Sequence, residues 1–222
     1  MTDESLSWEV ALPEHAAASL GQRRPCAHLL VTSEGHGSEE LRIPVAVGKR
    51  LKASRAAGEA LPTTRAELLW LVGELSRSCG RARIETLVNR RDYSCSELSE
   101  KLRQDGYGVQ VTEELVARAR EAGAVDDARF AETFVRSKVL AGWGHAKIER
   151  ELARRGIELS EVQGWPDEFL SADDERARAL ELASRRRLTG KNDFQKVTRF
   201  LCGRGFAMSL AMDVAREVTR SE

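Results

Sequence analysis

A short signature occurs three times along the chain at nearly equal spacing. Leu98, Leu102 and Gly106 make the first copy, Ile148, Leu152 and Gly156 the second, and Val197, Leu201 and Gly205 the third. The glycines lie 156 − 106 = 50 and 205 − 156 = 49 residues apart. Apolar residues four apart share one helix face, and a glycine four further on is the usual left-handed residue that closes a helix. A helical unit used repeatedly must bury its apolar face against its neighbours. The chain is therefore expected to be mainly α, an elongated stack of three tandem three-helix units.

Ahead of the first copy the periodicity changes. His28 to Val31 form an apolar run, Glu34 to Ser38 look like a turn, and Leu41, Ile43, Val45 and Val47 alternate with period two. That alternation marks a half-buried strand, and Pro44 within it points to a sheet edge. A small N-terminal β-hairpin is expected, followed by a linker over Lys52 to Pro62. From Thr63 the period is helical, with a leading stripe of Leu68, Leu69, Leu71, Val72 and Leu75 beside Trp70. Ile84, Leu87 and Val88 mark a further helix.

Helix starts are read at Ser94 with Glu97 as a capping box, at Asp126 or Asp127, at the acidic Asp173 and Asp174, and at Asn192. Leu159, Val162 and Phe169 suggest a short further element. The boundaries that follow are 1–60 for the extension with its hairpin and linker, 61–124 for the leading helix and first unit, 125–171 for the second and 172–222 for the third.

Charge and cysteines narrow the function. Thirty-five basic and 35 acidic side chains cancel, so only their distribution can indicate a polyanionic partner. Cys26, Cys79, Cys95 and Cys202 are scattered, which is neither zinc spacing nor a disulfide framework. They read as reduced thiols of a cytoplasmic protein. Cys26, His28 and His36 lie close in sequence but lack a fourth ligand, so no metal or other cofactor is expected. No apolar run approaches the ~20 residues of a membrane span, and the polar start from Met1 to Glu9 is unlike a signal peptide. Asp126 and Asp127 could suggest metal-assisted phosphodiester chemistry, but capping explains a pair that precedes a helix. The chain has no Gly-rich phosphate loop and no nucleophile set, so it is not expected to be an enzyme.

The second and third copies carry more than periodicity. Asp126, Asp127, Ala128, Arg129, Phe130, Ala131 and Glu132 lead to Phe134 and Val135, then to Gly142, Trp143 and Gly144. Leu152 to Ile157 follow, and later Val197 to Leu201 and Arg204, Gly205 and Phe206. Over roughly Arg77 to Val218 these blocks resemble the RecX family, the regulators of the RecA recombinase. The resemblance implies an all-helical tandem repeat without catalytic residue or cofactor. It also implies a partner, the RecA filament on single-stranded DNA, whose ATP hydrolysis, strand exchange and coprotease activity are inhibited. Some members also bind DNA directly, and duplex DNA is a further candidate ligand. Many relatives place two basic residues before the Gly-Phe of the third copy; here the first of those positions is Gly203.

The residues themselves offer two basic surfaces. Between Arg176 and Phe206 stand nine basic side chains against Glu181 and Asp193, a balance of 9 − 2 = +7, so the rest of the chain sums to −7. Candidate contacts there are Arg185, Arg186, Arg187, Lys196, Arg199 and Arg204, with an ordinary solvated helix face as the alternative. In the second copy Lys147, Arg150 and Arg154 share a face, Arg155 is adjacent, and Arg136 and Lys138 lie on the preceding helix. Exposed ion pairs with Glu149 and Glu151 are the alternative there. Trp143 either packs between units or stacks on a base, whereas Phe130, Phe134, Phe200 and Phe206 are expected in the core. A free-standing helix-turn-helix reader of duplex DNA is the competing function. An elongated monomer is the default state.

Overall fold

The computed structural model describes residues 6–14, 25–33, 37–59, 61–158, 162, 164–165, 168 and 172–220. The chain divides into two compact units, Met1–Val125 and Asp126–Glu222.

The first unit opens with an antiparallel sheet of β1 (Ser7–Ala11), β2 (Ala27–Ser33) and β3 (Gly37–Ile43), in the order β1-β2-β3. The expected hairpin is present, widened by β1. Trp8 pairs with Val31 and Val10 with Leu29. Alternation then puts Trp8, Val10, Leu29 and Val31 on one buried face. The other face is polar, with His28 against Glu40 and Thr32 against Ser38. Part of the expected turn, residues 34–36, lies outside the described residues.

β3 stops at Ile43. The expected continuation through Val45 and Val47 is helix α1 (Val45–Ala56), with Pro44 extended at its N-cap. Proline fixes its own φ and lacks a donor, so it opens a helix as readily as it marks an edge. Val47 and Leu51, four apart, are fully buried beneath the sheet. The same helix takes in Lys52 to Ala56, so the connecting segment is shorter than the expected linker.

The leading stripe and the Ile84 helix are one element, α2 (Arg65–Val88), of 24 residues. Thr64 and Glu67 form its capping box. Its first half packs under the sheet through Leu68, Leu71 and Val72, and its second half joins α3 (Cys95–Gln104) and α4 (Val109–Glu121) through Ile84 and Leu87. The three-helix core is completed by Leu98, Leu102, Tyr107 and Leu115. Gly80 lets α4 approach, because a Cβ there would stand 2.3 Å from Leu115 Cδ1. Ser94 Oγ accepts the amide of Glu97, whose carboxylate pairs with Arg91 at 2.8 Å.

The second unit holds α5 (Asp127–Leu140), α6 (His145–Ala153), α7 (Ala172–Ser184), α8 (Asp193–Arg204) and α9 (Met208–Arg220). Asp126 caps α5 by accepting the amide of Arg129 at 3.0 Å. Phe130, Val135, Ile148, Leu152 and Ile157 form one core; Ala179, Val197, Leu201, Phe206 and Val214 form another. Every apolar signature position is buried, at no more than 1% exposure, which fixes the signature's cause as core packing. Leu159 and Phe169 lie outside the described residues. Asn192 precedes α8 but is left-handed, with φ of 57°, and its side chain makes no cap. Asp193, the first residue of α8, instead accepts the amides of Thr189 and Gly190 and the Thr189 hydroxyl, which ties the preceding turn to the start of the helix. Those bonds hold its carboxyl below the usual range, outweighing the opposing effect of burial.

Candidate nucleic-acid interface

The site is built around the turn between α5 and α6, Ala141 to Gly144. A helix end leaves carbonyls without partners and the next helix start leaves amides without partners. Here the α7–α9 group supplies both. Arg178 Nη1 donates to the carbonyl of Val139 at 3.4 Å, and Arg204 Nη1 to that of Ala141 at 3.0 Å. At the start of α6 the Gly144 amide donates to the carbonyl of Arg204 at 3.0 Å and the Ala146 amide to that of Gly205 at 3.2 Å. The His145 amide donates to Glu175 Oε1 at 2.9 Å. Two arginines thus face a helix C-terminus and a glutamate faces a helix N-terminus, each with the favourable sign for the helix dipole. Burial pushes the Arg178 guanidinium below its ordinary value, opposed by the nearby charges of Glu175 and Asp174.

Close backbone approach makes the junction possible. A Cβ at Gly144 would stand 2.5 Å from the carbonyl of Gly205, and one at Gly205 would stand 2.3 Å from Lys147 Cβ. Gly205 also has φ of 95°. No L side chain satisfies both conditions there.

Cations and aromatic rings alternate across this junction. Trp143 is half-buried and meets Phe134 edge-on, with ring centres 6.4 Å apart. Lys138 Nζ lies 5.1 Å from the centre of the Trp143 ring and Lys147 Nζ 4.1 Å. Arg155 lies 4.9 Å from Phe134. On the far side of Gly205, Phe200 has Arg186 at 4.4 Å and Arg204 at 5.3 Å. Phe130 and Phe206 are core, as expected, but Phe134 and Phe200 are only half-buried and carry these cations. Such contacts hold a cation without neutralising it, at about 0.5–1 kcal/mol each when exposed.

The candidate cations therefore separate by partner. Arg136 pairs with Glu132 at 2.8 Å, Arg154 and Arg155 share Glu151, and Arg185 pairs with Glu181. Lys196 is held by Asp193 at 3.3 Å and Thr189 Oγ1 at 2.6 Å. The Glu151 carboxyl lies below its usual range, mainly through its hydrogen bond from Arg155. Lys138, Lys147, Arg186 and Arg204 are backed by rings, and Arg150, Arg187 and Arg199 make no ion pair among the described residues. The helix-face spacing of Lys147, Arg150 and Arg154 does not persist as one basic stripe, since Lys147 turns to Trp143 and Arg154 to Glu151. Glu175 and the junction role of Arg178 had no local signal, because they act on helices 30 and 39 residues away in sequence.

Among the described residues no group of three or more His, Cys, Asp or Glu is placed to hold a metal ion, and no helix is long and apolar enough to cross a membrane. Cys26 accepts from Arg42 at 3.5 Å and His28 faces Glu40, while His36 lies outside the described residues.

Comparison with known proteins agrees with this architecture. Residues 126–163, which hold α5, its turn and α6, match the family model for the second three-helix domain of RecX. The chain is 38% identical over 122 residues to regulatory protein RecX of Chromohalobacter salexigens, a match covering 54% of this chain and 80% of that protein. It is 32% identical over 129 residues to regulatory protein RecX of Pseudomonas entomophila, covering 56% and 81%. The fold is similar to a crystal structure of RecX from Lactobacillus salivarius, with a TM-score of 0.55 and 17% identity over 65% of this chain and 97% of that one. A second RecX crystal structure gives 0.56 and 15% over 98% and 99%. The chain belongs to the RecX family of regulatory proteins.

Proposed function

We propose that this RecX-family protein binds RecA filaments on single-stranded DNA and lowers their ATP hydrolysis, strand exchange and coprotease activity. It acts by binding, without chemistry of its own, in the cytoplasm and as a monomer built of three tandem helical units. A ligand that favours one filament conformation withdraws the others needed for turnover. Contacts spread over several helical units reinforce one another through effective concentration.

The observation that carries the reading is the alternation of Lys138, Trp143, Lys147, Arg204, Phe200 and Arg186 across the α6–α8 junction. Cations held by rings rather than by carboxylates suit a flexible polyanion with bases able to stack. The test is co-sedimentation of the protein with RecA assembled on oligothymidylate, with and without added salt. Saturable binding to filaments, weakened when Lys138 and Lys147 are changed to alanine, supports the proposal. Binding to duplex DNA at one preferred sequence, with none to filaments, would favour a free-standing DNA reader instead.

A further inference from the structure

The first unit contains a cleft of about 1150 Å³, apart from the ribbon of cations and rings in the second unit (Lys138, Trp143, Lys147, Arg204, Phe200 and Arg186). Its walls are α1 and α2. α1 contributes Ala46, Lys49, Arg50 and Ala53, which fall at helical spacing on one face; α2 contributes Ser78, Cys79, Ala82, Arg83 and Thr86. Tyr107, almost fully buried, and the half-buried Cys79 also line it. The volume exceeds the ~300–1,000 Å³ usual for small-molecule sites, which suits a segment of polypeptide.

The charge is one-sided. α1 carries Lys49, Arg50, Lys52 and Arg55 and no acidic residue. Arg55 is used internally, donating to the Trp8 carbonyl at 2.9 Å and lying over its ring. On the opposite wall Arg83 is paired with Asp105 at 2.6 Å. Lys49 and Arg50 are exposed, and the Arg50 side chain also hydrogen-bonds the Cys79 thiol, whose ionisation burial disfavours against that contact. Between the charges the walls are methyl groups and small hydroxyls. Small residues on two facing helices let a third helix approach closely, and carboxylates on its flanks would meet Lys49 and Arg50. Nucleic acid fits less well, because among the described lining residues the only aromatic ring is the buried Tyr107. The ribbon of the second unit has the opposite character, with rings at the surface.

We propose that the groove between α1 and α2 docks an acidic amphipathic helix of a partner protein. The test is selection of a phage-displayed library of amphipathic helices, randomised at their polar positions, on the full chain. Ala82→Trp fills the groove, and the pair Lys49→Glu with Arg50→Glu reverses its charge. All three positions are exposed, so circular dichroism and melting temperature should match the wild type. Enrichment of Asp- and Glu-flanked apolar seams, with binding weakened about tenfold or more by each variant, is the expected result. Substitution of Lys138 and Lys147 should leave that binding unchanged. The proposal is overturned by enrichment of neutral or basic helices, or by binding that neither variant alters. It is equally overturned if oligothymidylate displaces the selected helices and is itself weakened by the same substitutions, which would make the groove a nucleic-acid site. A self-association of the chain that Ala82→Trp abolishes would make the occupant a second copy.

Discussion

The backbone amide of Gly144 donates to the carbonyl of Arg204 at 3.0 Å, and neither Gly144 nor Gly205 has room for a Cβ at this crossing. The sequence blocks around Gly142–Gly144 and Arg204–Phe206, which resemble the RecX pattern at separate places in the chain, are thus two halves of one junction. Gly144→Ala should lower unfolding free energy by about 1–3 kcal/mol, because the new methyl group meets rigid backbone. Urea denaturation measures it. Gly203→Ala is the control, since nothing lies within 4 Å of its Cβ position and it sits in a helix; it should be neutral or stabilise by up to about 1 kcal/mol. Equal losses for both would mean that the junction is not tight.

Glu175 is expected to act as a cap supplied from another helix. Glu175→Ala removes the acceptor for the His145 amide and should cost about 0.5–2 kcal/mol, as for other N-caps. The effect should appear as loss of hydrogen-exchange protection in α6 before other helices open. Protection that is unchanged in α6 would assign the stability of that helix start to the carbonyls of Arg204 and Gly205 alone.

The division of cations by partner predicts unequal DNA contacts. Lys138→Ala with Lys147→Ala should weaken binding to oligothymidylate and flatten its dependence on salt by ~0.7 per lost contact. Arg136→Ala and Arg154→Ala should change little, because Glu132 and Glu151 already engage those side chains. Fluorescence anisotropy across a salt series separates the two groups, and equal slopes for all four substitutions would refute the division.

Acid should destabilise the protein through its hydrogen-bonded carboxylates. Glu114 lies below its usual range, chiefly through the hydrogen bond from Arg77, and Glu67 through the Thr63 amide and hydroxyl. A carboxyl whose folded pKa is depressed contributes stability above its unfolded value and loses it as pH falls through the folded one. Thermal stability should therefore decline as pH drops below the ordinary carboxylate range. Glu114→Gln should reduce that decline, and an unchanged acid profile would show that the Arg77 contact is not maintained in solution.

How much was legible depended on whether the cause was local. Leu98 with Leu102, Ile148 with Leu152 and Val197 with Leu201 announce their burial because a spacing of four has one geometric meaning in a helix. Val45 and Val47 misled because they extend the alternation of Leu41 and Ile43 by two steps, while their helical partner Leu51 sits beyond Pro44 in a basic, alanine-rich stretch. β1 was legible, since Leu6, Trp8, Val10 and Leu12 alternate with period two and share one core, but the acidic residues around them made the segment look like a polar start. Candidate cations could be named from composition, but not their partners. Whether Lys147 faces a glutamate or Trp143 is decided where Gly205 seats against Lys147, a contact between residues that are distant in sequence. The cationic face of α1 went unread for the same reason that its helix did.

The most direct measurement is the single-stranded-DNA-dependent ATPase of the cognate RecA with this protein titrated in, as wild type and as the Lys138→Ala, Lys147→Ala, Arg186→Ala variant. The account predicts inhibition by the wild type and a variant that folds normally but needs about tenfold more protein or greater for the same effect. An ATPase that the wild type leaves unchanged at saturation would contradict the proposed function, and full inhibition by the variant would remove the ribbon from it.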